Sequence, residues 1–269
     1  MDKSHKHIDF FIEHIGKTLS YFNNKELTQI QFFAIGLLQR LKNSSVLLKL
    51  ALRNIVKYPE LEYSVGIIIR ALLLDKLIAL NLYKLIRTSE IENHSKELME
   101  QVAKDYCVSR LADGLTTTID YAQLSRDVKF IDDDKLKASY NNFAQKYKDY
   151  LEPHAGDGSK PKVRVPKVPT TKQLFKELAG DNELQEISKI YDYYQLYSKY
   201  DHFNVLYFDT LDVDLEKKFL LVKKCIKLLI THQVILHEFL KRFSQSDKFV
   251  EEQYKIAVTY FSQVNQNGS

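Results

Sequence analysis

Glycine and proline are both scarce in this chain, at 8 and 5 residues of 269. An all-β protein needs many turn residues, so the scarcity points to long helices joined by few tight turns. Tryptophan is absent, and Cys107 and Cys225 are the only cysteines. Neither has a partner at metal-ligand spacing, and two thiols make no disulfide framework, so each reads as a small buried hydrophobe. A strong charge of one sign is missing too: the net charge is +4 and the pI near 8.7, below the basic balance typical of nucleic-acid domains. Long unbroken apolar runs are also lacking. Window 65–86 is interrupted by Arg70, Asp75 and Lys76, and window 219–240 by Lys223, Lys224 and Lys227. Charges at those depths are costly in a bilayer, so both windows read as buried core helices and no membrane partner is expected. The opening residues carry Asp2, Asp9 and Glu13 and no apolar run of signal-peptide length, which makes a cytoplasmic location the expectation.

Familiar catalytic signatures are missing as well. There is no glycine-rich phosphate loop, H-E-x-x-H, C-x-x-C or G-x-S-x-G. His232 and His237 lie about 140° apart around a helix and cannot chelate one metal from the same face. His5 and His7 sit at a terminus expected to fray. Neither a metal nor a cofactor is expected.

What the chain does carry is helical periodicity, with no two-residue alternation long enough for a sheet. Residues 5–22 read as a first helix ending at Asn23-Asn24. Thr28 caps a second, with Asn43-Ser44-Ser45 as a break point, and Pro59 opens a third that runs to Arg87. The third has little polar face and should be central. Ser89 with Glu92 forms an S-x-x-E capping box for a helix through Ala112, which Asp113-Gly114 ends or kinks before a segment from Thr116 to Ser125. Asp132 or Asp133 caps the helix DDDKLKASYNNFAQKYKDYL, where acidic residues suit the helix dipole better than a metal. Residues 152–170 hold four of the five prolines and read as an extended, exposed connection. Beyond it, Thr170 or Thr171 caps KQLFKELAG, Asp181 caps a tyrosine-rich helix to Phe208, and Asp212 or Asp214 caps the next. The last helix runs from Asp247 to Val264. The expected fold is all-α, a bundle of about eight to ten helices with one Pro-rich basic loop. It is read as one domain, 1–269, with an N-terminal helix in 1–25 and the helices of 171–269 packing on the helix near 60–87.

Six of the seventeen tyrosines fall within IYDYYQLYSKYDHFNVLYF, residues 190–208. On a helix Tyr194, Ser198 and His202 form one i, i+4 stripe, and Tyr193, Tyr197 and Asp201 form its neighbour. Serine and histidine suggest a nucleophile and base. Yet a serine so placed back-bonds to the carbonyl four residues earlier, and no glycine-rich turn stands near to supply an oxyanion hole. The stretch therefore reads as a polar stripe between helices, its tyrosine rings packed and its hydroxyls paired. Arg70 and Asp75 are its expected neighbours, because charges in an apolar helix must find partners. The candidate site residues are thus His202, Ser198, Arg70, Asp75, Tyr194 and Asp201.

Three further features carry expectations. Arg87 and His94, in RTSEIENH, fit the arginine-then-histidine spacing of the HEPN ribonucleases. Lys160, Lys162, Arg164 and Lys167 give the proline-rich connection a basic arm that could touch nucleic acid. Phe219, Val222, Ile226, Leu229, Gln233, Leu236, Leu240 and Phe243 recur at alternating three and four spacing. They form a seam on helix 215–243 for neighbouring helices or for a homo-oligomer.

The segments IIIRALLLDKLIALNLYKL and TTKQLFKELAGDNELQEISKIYDYYQLYSKYDHFN resemble the two elements of an all-helical bacterial family, domain of unknown function 5677. The family carries an arginine–acid pair in an apolar helix and a tyrosine–serine–histidine signature. The resemblance implies roles for Arg70 and Asp75 in the first element and for Tyr194, Ser198 and His202 in the second. Here the acid is an aspartate five positions after the arginine, where the family has a glutamate at four. The resemblance spans residues 30–90 and 170–240, and implies a protein of mobile or defence-related gene neighbourhoods. The reading favoured by the residues is a binding or regulatory module. A metal-independent HEPN-type ribonuclease and a structural, oligomerising protein are the alternatives.

Overall fold

The computed structural model describes residues 2–92, 94–152, 158–164, 169–181, 187–201 and 215–266, with the side chains of 2, 3, 149, 188, 199–201, 215 and 216 set aside. Among these residues the fold is all-α, with nine helices and no strand. They are α1 (Asp2–Phe22), α2 (Gln29–Asn54), α3 (Leu61–Ile91), α4 (Lys96–Asp127), α5 (Asp133–Lys146), α6 (Thr171–Ala179), α7 (Ile187–Asp201), α8 (Leu215–Arg242) and α9 (Lys248–Gln266). The sequence reading treats 1–269 as one domain; the contacts cluster into two compact units, 1–92 with 171–269, and 93–170.

Several helix ends follow from local chemistry. Thr28 and Gln31 cap α2 reciprocally: the Thr28 hydroxyl accepts from the Gln31 amide at 3.3 Å, and Gln31 Oε1 accepts from the Thr28 amide at 2.9 Å. Asp132 Oδ1 accepts from the Lys135 amide to start α5, and Asp247 Oδ1 does the same for Phe249 and Val250 at α9. Three expected boundaries are absent. Helix α2 runs unbroken through Asn43-Ser44-Ser45, with Ser45 buried inside it. Ser89 does not cap: it lies within α3, 6% exposed, and its hydroxyl donates to the Leu85 carbonyl. The cap falls instead at Ser95, which accepts from the Leu98 amide. Helix α4 does not end at Asp113-Gly114 but continues through it. Gly114 faces open space, where glycine costs a helix only about 1 kcal/mol. The next three threonine hydroxyls donate back to the carbonyls of Ala112, Asp113 and Gly114.

In the first unit α3 is the hub. Its buried residues, Val65, Ile69, Leu72, Leu73, Leu77, Leu80 and Leu82 among them, point all round the helix, because α2, α6, α7 and α8 pack on it from different sides. Helix α1 lies on α2 and α8, and α9 lies on α8. The α8 seam is spent inside this unit: Val222, Ile226, Leu229, Gln233, Leu236 and Leu240 are buried. That seam is therefore closed to a second copy. The N-terminus does not fray as expected, since His7 is buried and its Nδ1 lies 2.7 Å from the Tyr260 hydroxyl of α9.

In the second unit α4 and α5 close on a core of Leu115, Ile119, Ala122, Leu136, Tyr140 and Leu151. In the described part of the proline-rich connection Ser159, Lys160, Lys162 and Arg164 are exposed, as expected, but the segment is not wholly detached. Val163 packs on that core and pairs with Leu151 in an isolated antiparallel bridge. The Glu152 amide donates to the Lys162 carbonyl and the Arg164 amide to Tyr150, which ties the described part of the connection down.

Candidate functional site at the α3 hub

Helix α7 presents Ile187, Ile190, Tyr194 and Tyr197 as one buried edge, the three-and-four spacing of a helix seated on another. Tyr191 stacks on Phe175 of α6 with ring centroids 4.0 Å apart. The tyrosines are thus mortar between helices, as their amphipathic rings allow. Arg70 of α3 meets this edge. Its Nη2 donates to the Tyr194 hydroxyl over 3.4 Å, and its guanidinium carbon lies 5.3 Å from the centre of the same ring. That combines a hydrogen bond with a cation–π contact.

Ser198 is half-buried, and its hydroxyl donates to the Gln195 carbonyl at 2.7 Å. The partner is three residues back rather than four, with the same outcome: the proton is engaged by its own helix and aims at no base. The Asp201 side chain and all of His202 lie outside the described residues. Of the six candidates, Arg70 and Tyr194 are brought together, and Ser198 stands one turn beyond Tyr194.

Asp75 goes elsewhere. Five residues from Arg70 is about 140° around a helix, so the two cannot face one neighbour. Asp75 turns to α2, where Arg40 Nε lies 3.0 Å from Oδ2. The carboxylate is 3% exposed and the arginine 59%. Burial pushes the Asp75 carboxyl up to about 7, against the pull of Arg40. Next to it Lys76, 1% exposed, donates its ammonium to the Leu228 carbonyl of α8 at 2.7 Å. Glu62, in the first turn of α3, pairs with Lys218 of α8 at 2.8 Å.

Helix α8 adds buried histidines whose partners the sequence did not reveal. His232 is fully buried, and neither ring nitrogen has a hydrogen-bond partner among the described residues. Burial, with Lys76 and then Arg40 nearby, lowers its pKa to about 3. His237 donates from Nδ1 to the Gln233 carbonyl, which leaves Nε2 to accept from the Thr18 hydroxyl at 3.0 Å. Gln233 Nε2 donates to His14 Nδ1, and the two imidazoles lie 4.7 Å apart. Burial brings His14 to about 4 and His237 to about 3, so this chain of bonds is built from neutral rings. Burial also pushes both cysteine thiols up to about 12, so neither is an activated nucleophile. Among the described residues no group of three or more His, Cys, Asp or Glu could hold a metal ion.

The remaining candidates are scattered. Arg87 pairs with Asp181 at 3.8 Å in the first unit, whereas His94 is exposed in the second. Lys160 is engaged by Asp120 at 2.7 Å. Lys162 and Arg164 are exposed; Lys167 lies outside the described residues. No described helix is long and apolar enough to cross a membrane.

Sequence reasoning found Arg70, Asp75 and Tyr194 but missed Arg40, His14 and Gln233 as partners. A charge set in an apolar helix, such as Arg70 or Asp75 on α3, signals a partner on a neighbouring helix. The partner's identity depends on which helix arrives, and periodicity does not encode that. Against known proteins, no family model, no curated protein and no solved structure matches the chain.

Proposed function

We propose that the chain is a helical binding or regulatory module whose working face is the α3–α7 junction around Arg70 and Tyr194. The observation that supports this reading is the Arg70 guanidinium. It is half-buried on the hub helix and held against the Tyr194 ring and hydroxyl, and a guanidinium is the side chain whose planar fork matches anionic groups. Asp75, Lys76 and the α8 histidines belong to the packing of α3 in this view. The resemblance to domain of unknown function 5677 extends the proposal: a bacterial, cytoplasmic protein of a mobile or defence-related gene neighbourhood. The ribonuclease alternative draws no support from Arg87, which is engaged by Asp181. The oligomeric alternative loses its interface, because the α8 seam is buried.

The test is a thermal-shift screen of nucleotides, phosphates and dicarboxylates against wild type, Arg70→Ala and His202→Ala. Stabilisation of wild type, lost in Arg70→Ala, supports the module. RNA hydrolysis by wild type that disappears in His202→Ala or His94→Ala without a change in melting temperature replaces it with the ribonuclease.

A further inference from the structure

Helix α8 is charge-segregated. The acids Asp209, Asp212, Asp214 and Glu216 precede or open it, and residues 217–237 then contain five lysines and no acid. Lys218 turns inward to Glu62. The other four, Lys217, Lys223, Lys224 and Lys227, fall within about 120° of the helix surface, around the exposed Leu220. Lys217 and Lys224 are exposed, and Lys223 and Lys227 are half-buried. No described acid pairs with any of these four ammonium groups, and none of them is a buried unpaired atom, so all reach water. This sets them apart from Lys160, which a neighbouring aspartate neutralises.

We propose that this lysine stripe is a nucleic-acid-binding surface that tracks the phosphate backbone. The four charges are strung along about 15 Å of helix, the rise of about four nucleotides. Like charges at successive turns repel one another unless a polyanion spans them. A membrane surface fits less well. An interfacial helix needs a broad apolar face beside its cations, and here only Leu220, 52% exposed, lies in the stripe. Recognition through backbone charge alone reads no sequence, so binding is expected to be weak, salt-dependent and indifferent to base order. The surface stands on residues other than Arg70 and Tyr194, and its failure leaves the α3–α7 reading untouched.

The experiment measures fluorescence anisotropy of a labelled 20-base-pair DNA duplex and a single-stranded RNA of the same length, from 50 to 200 mM salt. Four phosphate contacts predict a log–log salt slope near −3.6 on duplex, about a hundredfold loss of affinity across that range. The triple change Lys223→Glu, Lys224→Glu, Lys227→Glu should flatten the slope to about −1. A control with the same charge change, Lys57→Glu, Lys248→Glu, Lys255→Glu, should keep most of it. If the glutamates disturb folding, the glutamine triple and protection of Lys223, Lys224 and Lys227 from acetylation by bound duplex give the same reading. No binding at 50 mM, equal loss in both triples, or binding only to vesicles containing phosphatidylserine overturns the proposal.

Discussion

Lowering the pH from 6 to 5 should destabilise the first unit by about 2–3 kcal/mol through buried groups alone. His14, His232 and His237 sit at about 4, 3 and 3 in the folded chain, against 6.5 when unfolded. A depressed histidine contributes stability that is complete above pH 6.5 and declines as the pH falls toward the folded value. Asp75 acts in the opposite sense. Its carboxyl is raised from 3.8 to about 7, so the folded chain holds an extra proton between those values. Near pH 5 the unfolded chain therefore binds about three more protons on imidazoles and about one fewer on Asp75, a net of about two. Each net proton is worth about 1.4 kcal/mol per pH unit. Urea unfolding followed by circular dichroism at pH 5, 6, 7 and 8 measures the slope. His232→Leu isolates one contributor: with neither nitrogen hydrogen-bonded, leucine should be neutral or stabilising at pH 8 and should remove about one proton from the slope. A stability flat to within about 0.5 kcal/mol between pH 5 and 7, or an unchanged slope in His232→Leu, refutes the reasoning.

Asp75→Asn should become more favourable relative to wild type by about 2–3 kcal/mol from pH 5 to pH 8, because only the aspartate must ionise in the core. Paired urea titrations at the two pH values test this. Ser198→Ala should leave the melting curve within about 0.5 kcal/mol of wild type, since the hydroxyl serves only the carbonyl of Gln195. Gly158→Ala should destabilise the second unit by about 1–2 kcal/mol in calorimetry. Gly158 has φ +77°, and a Cβ there would meet Lys137 Cγ at 2.7 Å.

Helices were legible in the chain because periodicity and caps are local. Thr28, Asp132 and Asp247 each announced an end that the fold uses. Boundaries failed where a local signal met a stronger continuation. Ser89-x-x-Glu92 looks like a cap, yet Ile86 keeps the apolar face of α3 running beneath it. The centrality of α3 was readable from its lack of a polar face. The split of its charges was half-readable: 140° between positions 70 and 75 already forbade a shared neighbour, and the choice of Tyr194 for one and Arg40 for the other came from tertiary packing. The buried histidine–glutamine chain left no comparable mark. Gln233 sits in the α8 seam as one polar residue among apolar ones, and its partner His14 is 219 positions away.

A double-mutant cycle on Arg70, Tyr194 and Asp75 tests the account of the hub most directly. Arg70→Ala with Tyr194→Phe should show a coupling of about 1 kcal/mol in urea unfolding at pH 7, whereas Arg70→Ala with Asp75→Asn should be additive within about 0.3–0.5 kcal/mol. Coupling between Arg70 and Asp75 with none between Arg70 and Tyr194 would contradict a hub that sends its two charges to different helices.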